Sequence, residues 1–275
     1  MIAILLGTVV GLLLGLTGAG GSVLAVPLLM VGLHWSITQA STVALLAVAT
    51  SATLGTVIAW RHSYVRYRAA SMIALAGAFT APLGIRLADR LSEPVLEAAF
   101  AAVLLIVSVR MFRMTLKAGA DAIIVRATVS GEGLPAGGDC CQINPLTGRM
   151  IWNWLTFRTM ASIGLATGFL SGLLGVGGGF VIVPALRSYT PLSMHSAVAT
   201  SLMAIALNST ATVFSSVMMG RAVPVEIALP FAIGSLLGMV IGRLIAPWIA
   251  GARLQQGFSL LSVVIAAIMA YRAIN

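Results

Sequence analysis

Long apolar runs, almost free of charge, leave this chain few ways to fold. Residues 39–60, 69–88, 94–112, 194–218, 224–249 and 255–271 each approach or exceed the roughly 20 residues a helix needs to cross a bilayer. Single polar residues interrupt them, but acidic residues keep near their ends. Backbone in lipid is satisfied only in helices or closed barrels. The runs are too long and too rarely alternating for barrel strands, so the fold class is all-α and integral to a membrane. Charge agrees. Only 8% of the 275 residues are Asp, Glu, Lys or Arg, against about 25% in a soluble domain. A soluble fold of this size could not cover its surface with so few charges, so the lipid bilayer is the first partner.

The formal charge of +9 would suit nucleic acid in a soluble protein. Here the basic residues gather in loops: Arg61, Arg66 and Arg68 in one, and Arg110, Arg113, Lys117, Arg126, Arg149 and Arg158 around another. That is the positive-inside pattern, and no nucleic-acid partner is expected. Two spans separate the clusters, so both belong to the cytoplasmic side. The two cysteines, Cys140 and Cys141, are adjacent and lack metal-ligand spacing. In a cytoplasmic loop they stay reduced. The N-terminus lacks the basic start of a signal peptide and reads as part of the mature protein.

The chain repeats itself. Residues 11–29 and 168–186, offset by 157, are identical at ten of nineteen positions. Six of the ten are glycine or proline: Gly11, Gly15, Gly18, Gly20, Gly21 and Pro27, with counterparts Gly168, Gly172, Gly175, Gly177, Gly178 and Pro184. With two residues inserted, Ala40-Ser41-Thr42 aligns with Ala199-Thr200-Ser201, and Thr50-Ser51-Ala52-Thr53 falls on Ser209-Thr210-Ala211-Thr212. Each half is then a broken or re-entrant helix followed by three transmembrane helices. The expected units are a membrane repeat over 1–112, a cytoplasmic insert over 113–156 and a second repeat over 157–275. In the insert, 122–129 reads as a short strand, and the whole is too short for its own core.

Internal repeats are typical of secondary transporters, and they can be inverted or parallel. Arg221 and Arg272 favour parallel halves; Arg253 and the uncharged N-terminus favour inverted ones. A pseudo-two-fold in the membrane plane would also bring both glycine loops to one central site, which favours inversion.

Those loops, Leu16-Thr-Gly-Ala-Gly-Gly-Ser22 and Leu173-Leu-Gly-Val-Gly-Gly-Gly179, lie between apolar stretches read as too short to span alone. Glycine costs about 1 kcal/mol in a helix interior, so three in four residues should unwind it. The next helix then starts at the break, with free N–H groups and a positive dipole end that favour an anion. A nucleotide-binding reading fails, because no strand precedes the glycines and no GK[ST] follows. Gly11, Gly15, Gly168 and Gly172 read instead as close helix packing. The expected anion site is therefore Gly20, Gly21 and Ser22 facing Gly177, Gly178, Gly179 and Phe180.

Further polar residues fall inside the runs. Hydroxyl side chains in membrane helices often bond back to their own carbonyls. Thr42, Ser201 and Asn208 are the ligand candidates among them, Asn208 because an amide in lipid needs partners. His195 is a further candidate for substrate contact or proton transfer. Arg187 and Arg243 could pair with an anion, though snorkelling to an interface competes. There is no paired carboxylate, no HExxH and no nucleophile with a base, so no enzyme, cofactor or metal site is expected. Asp89, Glu93, Glu97 and Glu226 lie at loop boundaries rather than at a mid-membrane proton-carrier position.

The paired motifs GLTGAGGSVLAVPLL and SGLLGVGGGFVIVPAL, each followed by a helix opening near Ala-Thr-Ser, resemble the sulfite exporter family TauE/SafE. Pro82-Leu-Gly-Ile-Arg-Leu-Ala88 and Gly242-Arg-Leu244 are similar to its later pattern, so the resemblance covers nearly the whole chain. It implies a transporter of small sulfur-containing anions, such as sulfite and organosulfonates like sulfoacetate or taurine, in a bacterial inner membrane. The residues alone leave other small anions such as carboxylates, a channel mechanism and a homodimer open.

Two outcomes are expected. Cysteines placed at Ser63 and Gly137 should label from the same, cytoplasmic, side; labelling from opposite sides refutes the positive-inside reading. A Cys140→Ser/Cys141→Ser variant should fold and transport as the parent does.

Overall fold

The computed structural model describes residues 2–18, 21–33, 35–60, 65–109, 152–190, 194–221, 223–246 and 251–274. Gly20, His34 and the insert up to residue 151 lie outside them, and with it the expected strand at 122–129, Cys140 and Cys141. All regular structure among the described residues is helical: α1 (Ile2–Thr17), α2 (Gly21–Leu33), α3 (Ile37–Trp60), α4 (Tyr67–Arg90), α5 (93–109), α6 (Trp154–Leu174), α7 (Gly179–Tyr189), α8 (Met194–Met218), α9 (Val225–Ile245) and α10 (Gly251–Ile274). Five of these, α3, α4, α6, α8 and α9, are long and apolar enough to cross a membrane. Exposed Phe79, Phe214, Leu229, Leu237 and Leu260 fit a lipid-facing outer surface.

α1 and α2 form a hairpin. Gly21 packs so closely on α1 that a Cβ there would lie 2.2 Å from the Leu14 nitrogen. One on Gly32 would lie 2.5 Å from the side chain of Leu6, so α2 runs back along α1. In the second half the chain also folds back, placing Gly178 against Thr167. Here the expectation of two short stretches needs correcting. α6 has 21 residues, because the polar start Trp154-Leu-Thr-Phe-Arg158 joins the helix and adds more than a turn.

Glycines fix how the halves meet. Gly7, Gly11 and Gly15 of α1 face Phe231, Ser235 and Met239 of α9 in order. Gly164, Gly168 and Gly172 of α6 face Ile73, Gly77 and Ala81 of α4 in the same order. The spacing of four puts each trio on one helix face. A Cβ on Gly11 would lie 1.9 Å from the Ser235 carbonyl oxygen, and one on Gly168 would lie 2.1 Å from that of Gly77. The backbones touch because nothing larger than hydrogen separates them. In lipid, where apolar side chains gain little by leaving one apolar medium for another, such close packing holds helices together.

The same contacts give directions. α1 is parallel to α9, and α6 is parallel to α4. α3 and α8 run antiparallel: Gly55 lies by Leu202, while Val48 shares the surroundings of Gly177 with Ile205 and Ser209. α5 and α10 also oppose. Ser259 donates to the Ser108 carbonyl at 3.0 Å, and Arg272 exerts its charge on Glu97 toward the other end of each helix.

The register between α3 and α8 departs from the sequence alignment. Gly18 packs on Val198 and Gly175 packs on Ser41, pairs whose members are related by the same offset of 157. Thr50, Thr53, Val57 and Trp60 are the exposed positions of α3, and Leu207, Thr210, Phe214 and Val217 expose the matching face of α8. No two-residue insertion is present. Ser51 corresponds to Asn208 and Ala52 to Ser209. Matching short hydroxyl strings gave the wrong register because exposed threonines on a lipid face carry no positional constraint.

Gly11→Leu and Gly168→Leu should each lower thermal stability strongly, by about 3 kcal/mol or more, since overpacking here meets backbone rather than a side chain that can move. Gly257→Ala, where an added Cβ meets nothing within 4 Å, should melt with the parent. Equal melting of all three would remove the glycine contacts from the fold.

Candidate functional site

The second break is built from glycines in the left-handed region. α6 ends at Leu174, and Gly175 (φ 72) caps it by donating its N–H to the Ser171 carbonyl at 2.9 Å. Gly177 and Gly178 follow, each at φ 70, a conformation that L side chains rarely adopt. Within α7 the first amide bonds are those of Val181 and Ile182 to the Gly178 carbonyl. Helix geometry therefore leaves the N–H groups of Gly178, Gly179 and Phe180 without an in-helix acceptor. Gly179 and Phe180 are buried, so these donors and the positive end of α7 face the protein interior.

The first break is similar in plan and different in chemistry. Gly18 (φ 76) closes α1 onto the Leu14 carbonyl at 2.8 Å. Thr17 then accepts the N–H of Gly21 at 3.2 Å and donates to the Leu13 carbonyl at 2.7 Å. One of the first amides of α2 is thus engaged by a side chain. Ser22 is fully buried and already has a partner. α2 packs on α7, so the helices that follow the two breaks meet.

Two of the remaining candidates lie far apart. Thr42 is buried and bonds back to the Thr38 carbonyl at 3.3 Å. Ser201 is buried and bonds back to the Val198 carbonyl at 2.8 Å. Because α3 and α8 are antiparallel with Gly55 beside Leu202, Ser201 is level with the far half of α3, about 20 Å from Thr42 at 1.5 Å per residue. One small ligand cannot touch both. His195 is in the first turn of α8, and its side chain lies outside the described residues.

Asn208 is different. It has no exposed surface, and neither its Nδ2 nor its Oδ1 has a hydrogen-bond partner. It faces Gly77, whose added Cβ would lie 2.5 Å from Oδ1. Beside it, Ser209 is equally buried, its Oγ is unpartnered, and it faces Gly177. Thr167 completes the surroundings, donating to the Gly164 carbonyl at 3.0 Å while packing on Gly178. On sequence alone Ser209 is one hydroxyl among many and Thr167 carries no signal. Only the fold-back of α6 and α7 brings them to the break.

A cavity of about 530 Å³ opens at the end of the bundle where α3 starts, lined by Trp35, Thr38, Gln39, Thr42, Asp89, Arg221, Val223 and Pro224. Thr42 lines it, and the adjacent Ser41 packs on Gly175, which brings the cavity close to the second break. Arg221 in its lining is bonded to Asp89 and, at 3.3 Å, to the Ile85 carbonyl. This joins the α8–α9 turn to the end of α4, across the two halves. Arg66, Arg68 and Arg158 lie at the opposite end, where parallel α4 and α6 both begin. Arg187 and Arg86 are exposed, as snorkelling side chains would be. Arg243 instead turns inward, with Nη2 3.4 Å from the Gly55 carbonyl and Nε buried without a partner. Among the described residues no group of three His, Cys, Asp or Glu side chains could hold a metal ion.

The model of the family described as sulfite exporter TauE/SafE matches residues 3–269. Two relatives, each described as a probable membrane transporter protein, come from Xylella fastidiosa strains Temecula1 and 9a5c. Each is 29% identical to this chain, over 97% of the chain and 93% of the relative. No solved structure matches.

The Arg221–Asp89 pair should add little stability. The Asp89 side chain is 49% exposed, and exposed pairs contribute about 0–1 kcal/mol. A double-mutant cycle on Arg221→Ala and Asp89→Ala should give a coupling energy of at most about 1 kcal/mol; several times that would make the pair a structural clamp.

Proposed function

The chain belongs to the sulfite exporter TauE/SafE family of membrane transporters, and we propose that it carries small sulfur-containing oxyanions, such as sulfite, sulfoacetate or taurine, by alternating access. The observation that supports this is the pair of helical hairpins, each broken at left-handed glycines, whose returning helices pack on each other. The start of α7 offers N–H donors inside the bundle, where an anion entering lipid depth must replace its hydration shell. Backbone donors do this without burying a full positive charge, and they release the ligand more readily than an arginine clamp would.

The opposite directions of α3 and α8, and of α5 and α10, support inverted halves. With the basic end cytoplasmic by the positive-inside rule, the cavity beside Thr42 faces the other side of a bacterial inner membrane. Alternating access then exchanges that opening for one at the basic end.

Uptake and counterflow in proteoliposomes, with sulfite, sulfoacetate, taurine, sulfate and acetate, test the reading. Saturable sulfite flux, accelerated by sulfite on the far side, is expected. Exchange of acetate alone would make the protein a carboxylate carrier, and flux that never saturates would make it a channel.

A further inference from the structure

The two breaks share a left-handed glycine, Gly18 and Gly175, at the end of the first helix, but differ in the side chains around them. At the first, Ala52 stands where the second has Ser209, and Val10 stands where it has Thr167. Ser51, the counterpart of Asn208, is satisfied: it hydrogen-bonds to Ser235, which also reaches the Ala47 carbonyl at 3.3 Å. The counterpart of Ser235 is Gly77, so Asn208 meets a glycine where Ser51 meets a hydroxyl. At that crossing Ser51 of the first half and Ser235 of the second are thus paired with each other. On α8 an amide and a hydroxyl remain fully buried and unpaired.

We propose that substrate is held asymmetrically, by the second break alone, with the Ser209 hydroxyl opposite Gly177 and the neighbouring Asn208 amide, which faces Gly77, as its side-chain donors. This rests on the reading that the chain carries an oxyanion at its broken hairpins. Ser209 faces the break directly, since a Cβ on Gly177 would lie 2.6 Å from its Oγ. The amides at the start of α7 open onto the same break, and their positive dipole end decides the ligand's sign: an anion is attracted there and a bare cation is repelled. Ser209 and Asn208 each bring an O–H or N–H to an acceptor-rich oxyanion. The first break, with Ala52 in place of Ser209 and Ser51 already bonded, brings no free side-chain donor from α3.

The test is sulfite counterflow in proteoliposomes with the parent, Ser209→Ala, Ser51→Ala and Asn208→Ser. Alanine at 209 is what the first half carries at the matching position, so the fold should accept it. Ser209→Ala should raise the half-saturating sulfite concentration about tenfold or more, the effect of losing one hydrogen bond to a charged ligand. Asn208→Ser should raise it similarly, while Ser51→Ala should stay within about twofold of the parent. Equal effects of Ser209→Ala and Ser51→Ala would overturn the asymmetry. So would a Ser209→Ala variant with altered sodium dependence and parental sulfite affinity, which would assign the pair to a cation. If the parent itself exchanges none of sulfite, sulfoacetate or acetate, the oxyanion reading fails instead, and this inference falls with it.

Discussion

Contact between bare backbones, where Gly7, Gly11 and Gly15 lie on α9 and Gly164, Gly168 and Gly172 lie on α4, is the constraint from which the rest of this structure follows. Each trio sits on the first helix of one half and meets the fourth helix of the other. The halves are therefore cross-packed, and neither hairpin is held mainly by its own repeat. Because a methyl group at these positions would overlap a carbonyl oxygen, the crossing cannot slide without climbing out of contact. The breaks that follow α1 and α6 are consequently held at fixed depth beside α8 and α3. Left-handed glycines at 18, 175, 177 and 178 can then redirect the chain without disturbing the hairpin that carries them.

The membrane class and four of the six expected spans, those over α3, α4, α8 and α9, were legible in the sequence, because they depend on pattern. Apolar length specifies a span, and the paired Gly18 and Gly175 share a left-handed conformation at the end of their helices. The register of α3 against α8 was not legible, because hydroxyl residues occur on lipid-facing and buried surfaces alike. Thr50 is exposed and bonds back to the Leu46 and Ala47 carbonyls, whereas Ser209, aligned with it by sequence, is buried and unpaired. The length of α6 was hidden by Thr156, Arg158 and Thr159, which lower local hydropathy without breaking a helix. Asn208 stood out in sequence for the right physical reason, since an amide in an apolar run needs partners. That its own surroundings deny it those partners follows only from Gly77, a residue with no polar signal of its own.

Ion pairing contributes little to this architecture. The Arg221–Asp89 contact is partly solvated and lines a cavity rather than a core. Its position nonetheless suits a carrier. It links the halves at one end only, and a weak link can break and re-form without a large change in free energy. At the opposite end the halves are joined by the Arg66 N–H donating to Thr200 at 3.1 Å, and by Arg243 reaching the Gly55 carbonyl. Each end is thus held by a few polar contacts, while the glycine crossings between them are held by continuous packing. A rocking motion that opened one end would cost those few contacts and leave the crossings intact.

The unpaired amide and hydroxyl at the second break carry the same logic to the site itself. A buried polar group without a partner costs about 1–3 kcal/mol, and Asn208 and Ser209 are two such groups on successive residues of α8. On the proposed reading, a closed, empty bundle would be penalised where the ligand sits, and a closed, loaded one would not. That difference is what coupling of substrate binding to conformational exchange requires, because a ligand shifts an equilibrium only by its differential interaction with the two states. The Ser51–Ser235 crossing, where the two hydroxyls satisfy each other, carries no such penalty. On the proposed reading, one unpaired and one paired crossing would let a two-fold scaffold hold its ligand on one side only.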